Sequence, residues 1–218
     1  MTNSTPRFPF PTHLLPATTA IIPEGASLPL VEACSAEDLA LAIRSLYNVN
    51  QLMANEGATR KIWSDGVFSW MHIVPVLHNL LLTKFDDPNL SILRAGAMLY
   101  IAAIRRRMGV KFLTHTQIRS LKNSMMALSQ ESEPTLEPAI WIWLLVLGST
   151  LSFLHDDHIW FVSQTAQCFV IMRYESMDQM LGYVKSVLWI ESILVPELET
   201  LRQELTAAVK DMYGTDLS

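Results

Sequence analysis

The sequence predicts an all-α fold: a single domain of about eight helices around a central apolar helix, preceded by a proline-rich N-terminal arm. Apolar residues recur at helical spacing from residue 35 onwards, and several of these segments open with a capping signal. No segment alternates apolar and polar residues as a half-buried strand would. Half of the 218 residues are hydrophobic, which is enough for the core of one domain.

Residues 1–34 are predicted to form an extended arm. Six of the eleven prolines lie within the first thirty residues. Proline fixes φ and lacks a backbone N–H, so this density disfavours helices and strand ladders. The prolines also interrupt the apolar run that a signal peptide needs, so secretion is not expected. The helical domain is predicted to occupy residues 35–218.

Capping residues, prolines and apolar spacing give the order of the predicted helices. The first helix begins after a cap at Ser35, and the second segment, Lys61 to Thr83, is kinked or split at Pro75. Two further helices cover Asn89 to Met108 and Pro138 to Phe153, and one between them begins at Thr114. The last three begin near His155, at Ser176 and at Pro196. Asn89 to Met108 is apolar on nearly every face, which is typical of a central helix. Gly109 after three arginines is typical of a helix end with a left-handed cap.

Charge and cysteine content narrow the classes of function. With 16 basic and 21 acidic residues the net charge is −5, so no direct nucleic-acid contact is expected. Cys34 and Cys168 are too far apart to suggest a disulfide framework or a zinc cluster, and no phosphate-binding, dinucleotide-binding or zinc-protease motif occurs. We therefore expect no cofactor and no metal. The apolar stretch from Ala139 to Leu154 is shorter than the roughly 20 residues that span a bilayer, so it is predicted to be a buried helix.

Four apolar segments occur in a recognisable order: LRAGAMLYI (Leu93 to Ile101), WIWLLVLGS (Trp141 to Ser149), WFV (Trp160 to Val162) and VKSVLWIES (Val184 to Ser192). Their order and spacing resemble the regulatory, C-terminal domain of fungal zinc-cluster transcription factors, in the second of the two large fungal-specific transcription factor domain families. The resemblance implies an all-helical domain that serves regulation and protein contacts. The six cysteines of the zinc cluster do not occur in this sequence, so the resemblance does not extend to DNA binding. His158 and Ile159 lie where that family often has an arginine, whose role is not carried over.

The segment HDDHIWFV, residues 155–162, concentrates ionisable side chains. The first interpretation is a helix start, in which Asp156 or Asp157 accepts hydrogen bonds from the amides of the first turn. The second is a metal site shared by His155 and His158, and the third is acid-base chemistry.

Other polar and aromatic residues are candidates for a site. The catalytic candidates are His72, His78, His155, Asp157 and His158, and the ligand-binding candidates are Arg94, Trp70, Trp141, Trp143, Trp160 and Trp189. Histidines in apolar segments are more often hydrogen-bonded core residues than general bases. Arg94, in the central helix, must find a carboxylate or several carbonyls, so it clamps two helices or anchors a ligand. The tryptophans and eleven methionines fill the core or line an interhelical pocket.

The expected function is that of a stand-alone, transcription-factor-like regulatory protein that acts through protein contacts or metabolite sensing. It predicts an exposed apolar surface, a protein or an apolar small molecule as partner, possible homodimers, and a location in the nucleus or cytoplasm. The alternative is a cofactor-independent cyclase or isomerase of fungal specialised metabolism. That alternative predicts a closed pocket in which two or more of the ionisable candidates meet. A third interpretation is that the chain is a fragment of a longer factor.

Overall fold

A computed structural model of the chain describes residues 26–56, 61–110, 114–131 and 136–214. Within these ranges the chain forms helices and no strand, which confirms the all-α class. The helices are α1 (Pro29–Glu32), α2 (Glu37–Glu56), α3 (Lys61–Ser64), α4 (Gly66–Phe68), α5 (Val74–Leu82), α6 (Pro88–Arg107), α7 (His115–Glu131), α8 (Pro138–Leu151), α9 (His155–Ile171), α10 (Met177–Val187) and α11 (Glu191–Tyr213). A π-helical turn, Ser69–Ile73, joins α4 to α5.

Most of the predicted arm lies in residues 1–25, outside the described residues. Its last part is helical, not extended as predicted. Pro29 occupies the start of α1, where the missing N–H of proline leaves no intrahelical bond unmade. Leu30 is completely buried, and the Glu32 carboxylate accepts a hydrogen bond from the Leu28 N–H at 2.9 Å. The chain therefore joins the core before residue 35.

Two apolar helices hold the centre of the core. In α6, twelve residues are buried, and in the shorter α8, twelve of the fourteen are buried. Helix α8 packs against α6, α9 and α10, while α6 also packs against α5 and α7. Because a larger fraction of α8 than of α6 is buried, the core is built around both helices and not around α6 alone.

Two glycines allow these helices to approach closely. A Cβ atom on Gly96 of α6 would lie 2.4 Å from Leu144 and 2.8 Å from Trp143, both on α8. A Cβ atom on Gly148 of α8 would lie 2.3 Å from the ring of Phe161 on α9. Real Cβ contacts are not that short, so a larger residue at either position would force a neighbouring side chain or helix to move. Both glycines belong to the apolar segments on which the predicted family resemblance depends.

Helix ends follow local sequence signals in part. The Ser176 hydroxyl accepts a hydrogen bond from the Gln179 N–H at 3.2 Å, as the predicted cap requires. The Gln179 side chain accepts in turn from the Glu175 N–H at 2.6 Å. At the next helix the prediction is wrong, because α11 begins at Glu191 and not at Pro196.

A set of buried and partly buried polar side chains fixes the connection between α10 and α11. We call this set the linker clamp; it consists of Tyr47, Asn50, Tyr100 and Trp143. Three consecutive carbonyls, those of residues 187–189, accept hydrogen bonds from Tyr47 Oη, from Trp143 Nε1 at 2.9 Å and from Asn50 Nδ2 at 3.2 Å. Tyr100 Oη donates to Asn50 Oδ1. Burial raises the pKa of both tyrosine hydroxyls, which keeps them protonated as donors.

Candidate functional site

A cleft of about 360 Å³ lies between the C-terminal end of α6 and the segment that runs from α3 through the π-helical turn. We call it the tryptophan cleft. Its lining includes Trp63, Asp65, Trp70, Arg105, Met108 and Val110. Its volume falls within the range of about 300–1,000 Å³ that is usual for small-molecule sites.

The sequence at the end of α6 builds one wall of the tryptophan cleft. Gly109 adopts the left-handed conformation, with φ of 82°, as its position after the arginines predicts. Its N–H bonds the Arg106 carbonyl, and the Val110 N–H bonds the Arg105 carbonyl, both at 3.0 Å. This C-terminal cap turns the chain back, so that Val110 and Arg105 line the same cleft.

Pro75 shapes the other wall. Proline has no N–H, and its ring clashes with the carbonyl of the residue four positions earlier. Just before it, the Val74 N–H bonds the Ser69 carbonyl, five positions back, so the turn widens into a π-helix. The break predicted at Pro75 therefore takes the form of a π-helical turn. Such turns occur frequently at functional sites.

Large apolar side chains are exposed beside the tryptophan cleft, on α4 and on the π-helical turn. Val67 is 65% exposed, Trp70 57% and Met71 42%. We call these three residues the apolar rim. Tryptophan is usually among the most buried side chains, and exposed apolar clusters mark interaction sites.

The three arginines at the end of α6 have three different environments. Arg105 is half-buried and lines the tryptophan cleft, and burial lowers the pKa of its guanidinium. Arg106 forms an ion pair with Glu197. The Arg107 guanidinium lies over the ring of Trp63, 5.9 Å from its centroid. Only Arg105 of the three contributes to the lining of the cleft.

A second cleft, of about 500 Å³, lies between the end of α2 and the start of α11. Its lining includes Met53, Lys185, Trp189 and Glu191. Lys185 and Glu191 form an ion pair with each other. The predicted ligand-binding residues Trp70 and Trp189 therefore line different clefts.

The segment HDDHIWFV is the start of α9, so the helix start of the first interpretation is confirmed. The predicted caps are wrong, because no side chain accepts a hydrogen bond from the first-turn amides. Asp157 is buried and instead pairs with Lys122 of α7, with Nζ and Oδ1 3.0 Å apart. Asp156 and His155 are exposed.

His158 links three helices through both ring nitrogens. Its Nε2 lies 2.9 Å from the Glu204 carboxylate on α11. Its Nδ1 lies 3.1 Å from the Ser149 carbonyl and 3.2 Å from the Ser152 hydroxyl, at the end of α8. These contacts give His158 a structural role at the start of α9.

Arg94 connects the central helix α6 to the end of α5. Its Nε donates a hydrogen bond to the Leu80 carbonyl at 2.7 Å, as predicted for a clamp between helices. A cation at this point also suits the negative end of the α5 dipole. Burial lowers the pKa of the guanidinium.

The remaining candidates are core or partly buried residues. Trp143 is fully buried, while Trp141 and Trp160 are partly buried against the core. The Lys122 ammonium lies over the Trp160 ring, 5.7 Å from its centroid. His72 and His78 are half-buried, and the His72 ring lies 4.9 Å from that of Phe68.

The ionisable candidates do not meet in either cleft. None of His72, His78, Arg94, His155, Asp156, Asp157 and His158 lines them. In the part of the chain that the structure describes, no three His, Cys, Asp or Glu side chains are grouped to hold a metal ion. None of the described helices combines the length and the apolar character needed to cross a bilayer.

No protein-family model, curated protein or solved structure matches the chain.

Arg105 and Asp65 line the tryptophan cleft but were not among the predicted site residues. The signal for Arg105 was present, since three arginines followed by glycine mark the helix end that forms the cleft wall. The signal for Asp65 was an aspartate one residue before the glycine that starts α4; its carboxylate accepts hydrogen bonds from the Val67 and Phe68 N–H groups at 2.8 and 3.1 Å. Neither signal indicates which distant residues come together.

Proposed function

We propose that the chain is a regulatory protein of the fungal zinc-cluster transcription factor type, which senses a small molecule in the tryptophan cleft and contacts a partner protein through the apolar rim. The observation that carries this proposal is the exposure of Trp70, 57%, at a cleft that also contains Arg105. Exposed tryptophan and arginine are the residue types most enriched where binding energy concentrates. The site of action proposed for this function is the nucleus.

The packing of the four apolar segments supports the family resemblance. Gly96 of the first segment meets Trp143 of the second, and Gly148 of the second meets Phe161 of the third. The Trp143 indole donates to the Leu188 carbonyl of the fourth segment. Segments that are far apart in sequence therefore form one packed unit, as a shared domain requires.

The contacts of the ionisable candidates favour regulation over catalysis. An isomerase or cyclase needs an acid or base that faces the substrate. Asp157 is engaged by Lys122, and His158 by Glu204 and the end of α8. Each of these side chains has a structural partner that explains its position, and none lines the two clefts.

A reporter assay tests the proposed function. The full chain is fused to an unrelated DNA-binding domain, and transcription from a matching promoter is measured in a fungal cell. We expect the fusion to change transcription relative to the DNA-binding domain alone, and Trp70→Ala to remove most of that change at equal protein level. The matched control is Ile171→Ala on α9, which truncates a side chain that is also exposed, 66%, but lies outside the cleft lining. The proposal fails if the wild-type fusion has no effect, or if the two variants behave alike.

A further inference from the structure

We infer that the second cleft takes a free amino acid with a large apolar side chain, bound as a zwitterion. Its carboxylate lies on Lys185, its ammonium on Glu191 and its side chain against Trp189. This site is separate from the tryptophan cleft, since the two linings share no residue. Its ligand is therefore independent of the sensing role proposed for the tryptophan cleft.

The walls of the second cleft are held by the linker clamp. The end of α2 lines the cleft through Met53 and Ala54, and the start of α11 lines it from the other side. Asn50, one turn before Met53, donates a hydrogen bond to the Trp189 carbonyl at 3.2 Å, and Tyr100 donates in turn to the Asn50 side chain. These bonds fix the two walls relative to each other, so a ligand loses little affinity to ordering them.

The apolar half of the ligand is supported by Trp189. Met53 and Ile190 also line the cleft, but both are buried, whereas Trp189 is partly exposed. The indole is therefore the large apolar surface that a ligand can contact, and other aromatic rings pack favourably against it. The volume of the cleft, about 500 Å³, falls within the range of about 300–1,000 Å³ that is usual for small-molecule sites.

The charged half of the ligand is supported by Lys185 and Glu191, which both line the cleft and form an ion pair with each other. Their side chains are 41% and 61% exposed, and ion pairs that are this exposed contribute little to stability. An amino acid carries an ammonium and a carboxylate on one carbon, so it can replace this one pair by two. A ligand with a single charge would instead leave one of the two side chains without a counter-ion.

The helix ends favour both charges when the ion pair opens. Lys185 lies in the last turn of α10, and Glu191 is the first residue of α11. A cation suits the negative end of a helix dipole, and an anion suits the positive end. In the described part of the chain, Lys185 and Glu191 have no ion-pair partner other than each other. The ligand therefore competes with this one contact alone for the two charges.

Three probes test the inference on the full chain by isothermal titration calorimetry. They are L-phenylalanine, phenethylamine, which lacks the carboxylate, and 3-phenylpropanoate, which lacks the ammonium. We expect L-phenylalanine to bind with a Kd below about 1 mM, and at least about tenfold more tightly than either analogue, as for one charge-assisted hydrogen bond. Lys185→Met should abolish the preference over phenethylamine, and Glu191→Gln the preference over 3-phenylpropanoate.

The matched control is a second exposed ion pair, which Asp178 and Arg202 form outside the lining of the cleft. Asp178→Asn and Arg202→Met should each retain both preferences. Circular dichroism of each variant checks that it folds, while the comparison of the three probes on the wild type needs no variant.

Three outcomes would overturn the inference. They are no binding of L-phenylalanine up to about 10 mM, equal affinities of the wild type for L-phenylalanine and either analogue, and preferences that survive both Lys185→Met and Glu191→Gln. Failure here is distinguishable from failure of the proposed function, because the reporter assay depends on Trp70 and these titrations depend on the second cleft.

Discussion

Gly148→Ala should destabilise the protein, although alanine is the better helix former. Gly148 lies in α8, where it contacts Phe161 of α9. The added Cβ would lie 2.3, 2.4 and 2.7 Å from three atoms of the Phe161 ring. Ordinary contact begins at 3.4 Å, so the ring or the helix must move by about 1 Å.

The expected magnitude follows from two opposing terms. Replacing glycine by alanine inside a helix stabilises it by about 1 kcal/mol. Forcing an extra methyl group into a packed core costs about 1–3 kcal/mol. Because Phe161 is fully buried and three ring atoms clash, the upper end of that range applies. The net result is a loss of about 2 kcal/mol, or roughly 4–8 °C in Tm for a chain of this length.

Urea unfolding followed by far-UV circular dichroism measures this change. The matched control is Gly182→Ala in α10, where nothing lies within 4 Å of the added Cβ and the free energy of unfolding should rise by about 1 kcal/mol. A second variant, Phe161→Leu, removes the ring that causes the clash. In that background Gly148→Ala should cost about 1–2 kcal/mol less than in the wild type.

Two results would refute this reasoning. One is a Gly148→Ala variant that is as stable as Gly182→Ala. The other is strict additivity of Gly148→Ala and Phe161→Leu, within about 0.5 kcal/mol. Either would mean that the approach of α8 to α9 does not depend on a glycine.

Further predictions concern a backbone outlier, an ion pair and two thiols. Arg173 follows α9 in the left-handed conformation, with φ of 53°, so Arg173→Gly should raise the free energy of unfolding by about 1 kcal/mol. A lower free energy of unfolding for the variant, measured by urea denaturation, would contradict this. Lys122→Met leaves the buried Asp157 with the more distant Arg119, 3.9 Å away, and should lower the free energy of unfolding by about 2 kcal/mol. Adding Asp157→Asn removes the buried charge and should recover part of that loss. A double variant that is no more stable than Lys122→Met would refute the pairing. Burial raises the pKa of the Cys34 and Cys168 thiols from 9.0 to about 11. The folded chain therefore keeps these protons where the unfolded chain loses them, so the stability that they contribute is full below pH 9 and is lost as the pH rises towards 11. Thiolate absorbance should rise at higher pH in the folded protein than in urea, and coincident titrations would count against burial.

The helices were predictable because their signals are local. The Ser176 cap, the left-handed Gly109 and the break at Pro75 each depend on residues within one turn of the chain. The hydrogen bond of Arg94 was predictable in kind, since a guanidinium inside an apolar helix must find an acceptor. The identity of that acceptor, the Leu80 carbonyl, depends on how α5 lies against α6.

Features that join distant segments were not predictable. The tryptophan cleft is formed by residues from 63–74 and from 105–110. No sequence pattern in either segment indicates that it packs beside the other. At the start of α9, the Asp157 carboxylate could accept a hydrogen bond from a first-turn amide or pair with Lys122 of α7. It pairs with Lys122, because packing of α7 against α9 brings the ammonium to this buried carboxylate. Tertiary packing overrides a local capping preference in such cases.

The linker clamp constrains the order in which the chain acquires its native bonds during synthesis. Tyr47 and its acceptor Val187 are 140 positions apart, and Asn50 and Trp189 are 139 apart. A ribosome adds about 5–20 residues per second, so these α2 side chains wait about 7–28 s for their acceptors to be made. During that interval their hydroxyl and amide groups must stay hydrated, because burying them without a partner would cost about 1–3 kcal/mol each. Tyr47 and Asn50 can therefore donate to the carbonyls of residues 187 and 189 only after the connection between α10 and α11 has been synthesised.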